Sequence, residues 1–399
     1  MDIHVLQTVP PSCVNRDDTG SPKTAVYGGV TRARVSSQAW KKAVRDSFKS
    51  NQVFPDEAMA IRTKRLPQWI HEEMQVYQRD ISMDVAVKLL NAVHVKIEKV
   101  KKTGEYQAKA LFFMSKAQAK ALARITVDNA EIINLAGSLA AKDNSEADDS
   151  ADEKKDKSKE KAKKITTEQK KQFDKVIEQA IDALKGNPSI EIALFGRMVA
   201  DDPSLNTDAC AQVAHAISTH KVSNEYDYFT AVDDMSPEDN AGAAHIDTVE
   251  FNSSTLYRYA TVAVHALHQQ LEEDTLAAVK GFVRAFVCSM PTGKQNTFAN
   301  RTLPDALLVT VRQDQPVNLV GAFEKPVFAG EEGYVALSAK RLSEHANKVY
   351  QDFAGKPAYS FVVGDALGEL GERSSFDALL RNLDAVLVPV LEGLNGADA

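Results

Sequence analysis

A long block with helical spacing interrupts a chain whose two ends carry strand signals, and this interruption limits the folds that the chain can adopt. Residues 1–50 open with a short strand and close with a helix that Ser36 or Ser37 can cap. From about residue 51 to residue 188 the apolar residues mostly recur with helical spacing. Strands and helices alternate again over residues 251–399. The pattern predicts an α+β fold in which a sheet domain carries an inserted helical domain.

The segments between these blocks have their own predictions. Residues 189–220 read as a return to the sheet domain, with a strand at Ile190–Met198 and a helix at Asp208–His220. Residues 221–250 have almost no periodicity, and a loop of that length in a compact chain is usually functional. Residues 142–164 hold charged and small residues without a bulky apolar side chain. They read as a disordered excursion between helices or as a solvated extension of one helix.

Composition restricts the class of protein. The 48 basic and 55 acidic residues give a net charge of -7, so a nucleic-acid site on this chain has to be a local basic surface. The three cysteines are far apart in sequence and form no CxxC pair, which argues against a zinc site and fits a reducing cytoplasm. The apolar runs are interrupted by charges, so we expect a soluble cytoplasmic protein without a membrane contact.

The N-terminal segment is the strongest candidate for a binding surface. Residues 1–49 hold eight basic and four acidic residues, a local charge of +4 in an acidic chain. On the strand, Arg32 and Arg34 share a side because side chains alternate with period two. On the helix, Lys41, Arg45 and Lys49 recur every fourth residue along one edge. Such an arrangement can follow a phosphate backbone, and a solvated charged face is the alternative.

Other candidate motifs are weaker. The loop at 292–297 contains Gly293 and Lys294 but lacks the second glycine and the Ser or Thr after lysine that a Walker A loop needs. It can be a polar loop that touches nucleic acid or a plain connecting turn. The paired aspartates, of which Asp17 and Asp18 come first, read as turn or capping residues rather than as metal ligands. The histidines have no supporting ligand pattern, so we expect no metal and no cofactor.

Several blocks of the sequence resemble one known family. They are the run from His4 to Asp18 with Pro11-Ser12-Cys13-Val14-Asn15-Arg16, the run Arg32-Ala33-Arg34-Val35-Ser36-Ser37-Gln38, the block Ala193–Met198, the block Ala214–His220, the block Tyr228–Asp234, the block Tyr257–Ala260 and the block Gly293–Thr297. Together they resemble CasC, the backbone subunit of the type I-E CRISPR Cascade complex and a RAMP-type RNA-binding protein. The resemblance is loose over 53–184 and after Arg312.

The resemblance implies a hand-shaped protein. Its palm would be a sheet like the RNA-recognition motif (ferredoxin-like), formed by residues 1–50, 189–220 and 251–399. The helical fingers would span 51–188, and the thumb would be the long loop 221–250. By position, the guide RNA would be bound by Lys23, Arg32, Arg34, Ser36, Gln38, Lys41, Arg45, Lys49, Arg197 and Lys294. Met198 would pack against a base, and Tyr228, Phe229 and Val232 would act between subunits.

Three functions stay open from the sequence. The first, which the resemblance implies, is a non-catalytic subunit that polymerises along the guide RNA (crRNA) for antiviral defence. Its partners would be target DNA, copies of itself, and the large, small and guide-processing subunits of Cascade. The second is a metal-dependent nuclease of the type III backbone kind, with Asp17 as the loop aspartate. The third is a protein-only assembly subunit whose basic cluster is a solvated face.

Overall fold

The computed structural model describes residues 1–78, 80–143, 166–186, 188–199, 201–232 and 243–397. The chain divides into two compact units. The sheet unit consists of Met1–Phe54 and Cys210–Ala399, and the helical unit is Pro55–Ala209. The predicted charged segment 142–164 lies outside the described residues from position 144 onward.

The described strands are β1 (Asp2–Ser12), β2 (Thr24–Tyr27), β3 (Val30–Val35), β4 (Ala60–Thr63), β5 (Ile97–Lys99), β6 (Tyr106–Ala108), β7 (Phe112–Ser115), β8 (Ala211–Val213), β9 (Ala216–Ser218), β10 (Glu225–Val232), β11 (Ala243–Val262), β12 (Ala306–Val311), β13 (Tyr359–Val363) and β14 (Glu372–Arg373). The described helices are α1 (Ser37–Ser50), α2 (Leu66–Tyr77), α3 (Met83–Ala92), α4 (Lys116–Asp128), α5 (Ala130–Asp143), α6 (Thr167–Lys185), α7 (Ile190–Phe195), α8 (Val264–Leu271), α9 (Thr275–Cys288), α10 (Gln295–Phe298), α11 (Gly333–Val349) and α12 (Phe376–Ala397).

One large sheet organises the sheet unit. Its strands run in the order β14-β13-β12-β1-β11-β9-β3-β2, and β8 and β10 also pair with β11. The central strand β1 is antiparallel to both neighbours, with Val5 opposite Arg258 on β11 and opposite Leu307 on β12. Val, Ile, Thr and Tyr occur at many positions of these three strands and favour a pleated, half-buried surface. The mixed α+β class predicted from the sequence is confirmed.

Helices cover both faces of the central strands. On one face, Arg258 of β11 lies 3.7 Å from the ring centroid of Trp40 on α1 and 4.6 Å from that of Phe286 on α9. On the other face, Leu6 and Tyr257 belong to a buried cluster with Leu342, Ala346 and other residues on or near α11. The middle of the sheet is therefore closed to solvent on both sides.

Helix α1 forms as the sequence predicts. The hydroxyl of Ser36 accepts a hydrogen bond from the N–H of Ala39 and caps the first turn. Trp40, Val44 and Phe48 are buried along one face. The helix ends at Ser50, at the predicted end of this first segment.

The helical unit contains short strands that the sequence analysis did not predict. Strands β4 and β7 pair with each other, as do β5 and β6. Helices α2 to α6 pack around a core that includes Met74, Leu89, Leu122 and Val176. The predicted boundary after residue 188 differs from the one observed, because residues up to Ala209 belong to this unit.

Two local predictions in the segment 189–220 are wrong. The predicted strand at Ile190–Met198 is instead α7, which is capped by the hydroxyl of Ser189 and ends at Gly196. The predicted helix at Asp208–His220 is instead the pair of strands β8 and β9, which bind to β11. Their backbone groups find partners on a strand about 40 to 50 residues away, which local periodicity cannot reveal.

The segment 221–250 is also more regular than predicted. Strand β10 pairs antiparallel with the first part of β11, from Glu225 opposite Phe251 to Val232 opposite Ala243. Its described side chains are exposed on both faces, apart from buried Val249 and a few partly buried positions near the base. Apolar and polar residues alternate along a strand when one face is buried and the other faces water. This ribbon is exposed on both faces, so its sequence lacks that two-residue alternation.

Candidate nucleic-acid interface

One loop of the sheet unit ties together three segments that carry basic residues. The carbonyl of Asn15 accepts a hydrogen bond from the N–H of Lys23 at 2.8 Å, and its side-chain oxygen accepts one from the N–H of Ser36 at 2.9 Å. The loop carrying Lys294 lies against the same turn, because a Cβ at Gly293 would come 2.2 Å from the carbonyl oxygen of Val14. The start of β2, the start of α1 and the 292–297 loop therefore meet at residues 13–16.

The basic residues near this loop make a positive local environment. The guanidinium of Arg34 contacts His215 Nδ1 at 3.2 Å and donates through Nε to the carbonyl of Thr24 at 3.1 Å. Burial lowers the pKa of His215, and the positive charges of Arg34 and Lys23 lower it further. A histidine held neutral beside two cations marks a surface that favours an anion.

Helix α1 carries the other basic residues that the sequence predicts for this site. Lys41 is half-buried, and this burial lowers the pKa of its ammonium group. Arg45 follows one turn later, and exposed Lys49 lies near the helix end, about 18 Å from Ser37 at 1.5 Å per residue. Gln38 is exposed in the first turn. We call Lys23, Arg34, Gln38, Lys41, Arg45, His215 and Lys294 the basic rim.

Arg32 does not belong to the basic rim, and its predicted contact with RNA is wrong. Its side chain is fully buried, and its guanidinium donates to the carbonyls of Tyr27, Ser218, Phe323 and Glu324. A guanidinium with its donors directed at backbone oxygens has no surface left for a phosphate. Arg32 instead fastens the β2–β3 hairpin to the segment 323–324, where a Cβ at Gly28 would overlap Glu324 O.

Two further predicted RNA contacts are occupied within the fold. Ser36 is buried and its hydroxyl caps α1, which leaves little surface for RNA. Arg197, in the helical unit, is also buried. It donates to the carbonyls of Leu184 and Leu205, among other acceptors. Arg197 is therefore a structural residue, and the prediction that it binds RNA is wrong.

Met198 is exposed on a loop of the helical unit that hydrogen bonds anchor on both sides. Its side chain is 84% exposed, although both neighbours in sequence are buried. Arg197 exchanges two backbone hydrogen bonds of 2.9 Å with Thr207, and the N–H of Val199 donates to the side chain of Asn206 at 2.7 Å. Gly196 has φ of +75°, a conformation that favours glycine. An apolar side chain held outward by such an anchored loop is suited to contact a partner.

The β10–β11 ribbon carries the aromatic residues predicted for it. Tyr226 and Tyr228 lie on one face and are 68% and 63% exposed, and Phe229 lies on the other face. Val232 is paired through its backbone with Ala243. The exposed tyrosines provide flat surfaces on which a base or an apolar group can stack.

Asp17, the residue of the nuclease alternative, shapes its own turn. Its Oδ1 accepts hydrogen bonds from the hydroxyl and the N–H of Thr19 and from the N–H of Ser21. These hydrogen bonds, that from the Thr19 hydroxyl first, lower the pKa of the Asp17 carboxyl. Among the described residues, no group of three or more His, Cys, Asp or Glu side chains could hold a metal ion.

Sequence reasoning missed Asn15 and His215. Both lie inside blocks that resemble the family, at 11–16 and at 214–220, and that resemblance was the available signal. Their structural roles depend on hydrogen bonds to residues far along the chain, so no spacing rule finds them.

A family model described as a CT1975-like protein matches residues 1–386. This chain belongs to the CT1975-like family. The resemblance to CasC-type Cascade backbone subunits is thereby confirmed. The CT1975-like chain is also similar to a chain of a solved "CRISPR RNA-guided surveillance complex, pre-nicking", with a TM-score of 0.73, 31% identity, and coverage of 96% of this chain and 99% of that chain.

A second solved structure is described as a "CRISPR RNA-guided surveillance complex". The CT1975-like chain is similar to a chain of it with a TM-score of 0.66, 27% identity, and coverage of 96% and 99% of the two chains. A comparison with curated proteins finds no match. Across the described part of the CT1975-like chain, every helix is too short or too polar to span a membrane.

Proposed function

We propose that this chain is a non-catalytic, guide-RNA-binding backbone subunit of a type I-E CRISPR Cascade complex in the cytoplasm. The observation that carries the proposal is the basic rim, in which one loop joins three basic segments on a chain whose net charge is -7. Phosphate contacts of this kind position a nucleic acid without reading its sequence. The similarity over almost the whole length of chains from RNA-guided surveillance complexes supports the same function.

The order of the central strands supports a palm of the RNA-recognition-motif type. Strands β12, β1, β11 and β9 lie side by side and are antiparallel throughout. Counted along the chain as β1, β9, β11 and β12, their spatial order is 4-1-3-2, as in a ferredoxin-like sheet. Helix α1 comes between the first and second of these strands, and α9 between the third and fourth.

The partners follow from this proposal. The subunit would polymerise along crRNA, with the β10–β11 ribbon as the thumb that reaches a neighbouring copy. It would present guide bases to target DNA for antiviral defence, beside the large, small and guide-processing subunits. Exposed Tyr226 and Tyr228 support the thumb, because base or apolar stacking would cover them.

Charge reversal of the basic rim tests the proposal. The variant Lys41→Glu/Arg45→Glu should not co-purify with processed guide when produced with partner subunits and a CRISPR array. The control is Lys120→Glu/Arg124→Glu, which reverses two basic residues with the same spacing on an exposed face of α4. Each lost phosphate contact should reduce the salt dependence of RNA binding by a slope of about 0.7. Full guide recovery by the first variant at unchanged thermal stability would contradict the proposal.

A second experiment separates the scaffold from the nuclease alternative. Assembled complex is incubated with complementary RNA or DNA and with magnesium or manganese. We expect no cleavage attributable to this chain, because Asp17 Oδ1 is engaged in its own turn and the described residues offer no group of three or more His, Cys, Asp or Glu side chains that could hold a metal ion. Cleavage that disappears in Asp17→Asn would instead support the nuclease.

A further inference from the structure

We propose that the β5–β6 hairpin of the helical unit is a second nucleic-acid contact. It would bind the phosphate backbone of a strand whose base lies on Met198. The inference rests on the proposed function, and it assigns a role to residues outside the basic rim. Three observations carry it: the charge of the hairpin, the placement of its lysines, and the groove at its base.

The hairpin is strongly basic and exposed. Residues 96–109 hold five lysines and two glutamates, a net charge of +3 in a chain whose net charge is -7. Its turn is closed by a hydrogen bond of 2.8 Å from the N–H of Gly104 to the carbonyl of Val100. Exposed Lys101 and Lys102 project from this turn. Strand pairing therefore presents the charge on a defined framework rather than on a free loop.

Two lysines occupy opposing positions across the strands. The N–H of Lys109 donates to the carbonyl of Lys96 at 2.9 Å, which extends the register in which Ile97 lies opposite Ala108. Like charges in directly opposed positions destabilise a strand pair. Asp201 offsets part of this repulsion through an ion pair with Lys96 at 2.9 Å. A bound polyanion would relieve the rest, so the placement favours a ligand with repeated negative charge.

An apolar groove lies at the base of the same hairpin. Lys96 and Asp201 line it together with exposed Met198 and Leu111, above buried Val95, Ala108, Phe112 and Val199. The Met198 thioether can pack against an aromatic base, since sulfur makes favourable contacts with aromatic rings. The Lys96 ammonium lines the same groove, and an ammonium binds a phosphate as a point charge. This combination fits a nucleic-acid strand, which has bases along one edge and phosphates along the other.

The test uses the complete assembled complex with its guide. The variant Lys101→Glu/Lys102→Glu reverses two charges at the exposed tip. The matched control Glu98→Gln/Glu105→Gln removes the two acidic charges of the same hairpin. Guide retention and binding of complementary single-stranded DNA are each measured from low to high salt, and thermal unfolding is recorded for each variant.

We expect the lysine variant to lower the salt slope and the glutamine variant to strengthen binding. Each lost phosphate contact should change the slope by about 0.7 for a single strand or about 0.9 for a duplex. A change in guide retention would identify the bound strand as the guide, and a change confined to DNA binding would identify it as the target. A change in guide retention and a change in DNA binding each support the proposal. A merely structural disturbance would instead weaken nucleic-acid binding in the lysine variant and in the glutamine variant alike.

Other outcomes would overturn it. If the wild-type complex holds guide and both variants match it in both assays at unchanged thermal stability, the hairpin is not a nucleic-acid contact. If only the association of a protein subunit changes, the lysines bind an acidic protein surface instead. A wild-type complex that holds no guide would refute the proposed function itself, which distinguishes the two failures.

Discussion

Arg32 and Arg34 stand two residues apart on β3, and the structure predicts opposite consequences for their removal. In Arg32→Met, the carbonyls of Ser218 and Phe323 lose the donors of two buried hydrogen bonds, and those of Tyr27 and Glu324 lose partly buried ones. Hydrogen bonds to a charged group contribute about 1.5–3 kcal/mol each. Counting only the buried pair, we expect a loss of roughly 3–6 kcal/mol in the free energy of unfolding.

Arg34→Met should behave differently. Its Nε hydrogen bond to Thr24 is partly buried and its contact with His215 is exposed, so water can replace both. The loss of stability should be about 1 kcal/mol or less. RNA binding should weaken and its salt slope should fall by about 0.7, since Arg34 belongs to the basic rim.

Denaturant unfolding of the isolated subunit measures the first effect, and filter binding at several salt concentrations measures the second. Arg32→Lys is the informative intermediate, because it keeps the charge but supplies a compact ammonium group in place of the planar fork. An unchanged unfolding midpoint for Arg32→Met would refute the role assigned to Arg32. Equal losses of stability in the two variants would refute the distinction between them.

Three further predictions concern other parts of the chain. Tyr226→Ala/Tyr228→Ala should leave the melting temperature of the isolated subunit unchanged, because both rings are exposed, but should weaken assembly by about 1–3 kcal/mol per stacked base; full ribonuclease protection of the guide would contradict this. Met198→Ala should likewise preserve folding and reduce the affinity of loaded complex for target DNA, which gel-shift titration measures. Burial lowers the pKa of His4 from 6.5 to about 4, so the folded protein keeps it neutral while the unfolded chain takes up a proton below about pH 6.5. Stability should fall by roughly 3 kcal/mol between about pH 6.5 and 4, and His4→Gln should flatten this dependence in urea unfolding measured across that range.

The sequence predicts elements whose signals are local. The cap at Ser36 and the helical spacing over most of residues 51–188 are local signals, and the structure confirms both predictions. Prediction from the sequence fails where the hydrogen-bond partners of an element lie far away in the chain. The six residues of α7 are too few for periodicity to separate a helix from a strand.

The candidate interface shows the same limit. Charge spacing predicts a binding edge at Lys41 and Arg45, and it treats Arg32 and Arg34 as equivalent because both point to one side of the strand. Their difference comes from carbonyls of Ser218 and Phe323, which are brought to Arg32 by folding alone. For Arg197, likewise, sequence shows a charge but not the carbonyls around it.

A sheet with helices on both faces offers bases nowhere to lie flat against its central strands. In an open RNA-recognition-motif sheet, two or three bases stack on the strands, and the protein covers those bases. Here Arg258 and Trp40 fill one side of the sheet, and the cluster containing Tyr257 and Leu342 fills the other. An RNA held at the loops by its phosphates would keep its Watson–Crick edges turned away from the protein. The same covering that stabilises the sheet unit would thus leave the bases of such an RNA free to pair with a complementary strand.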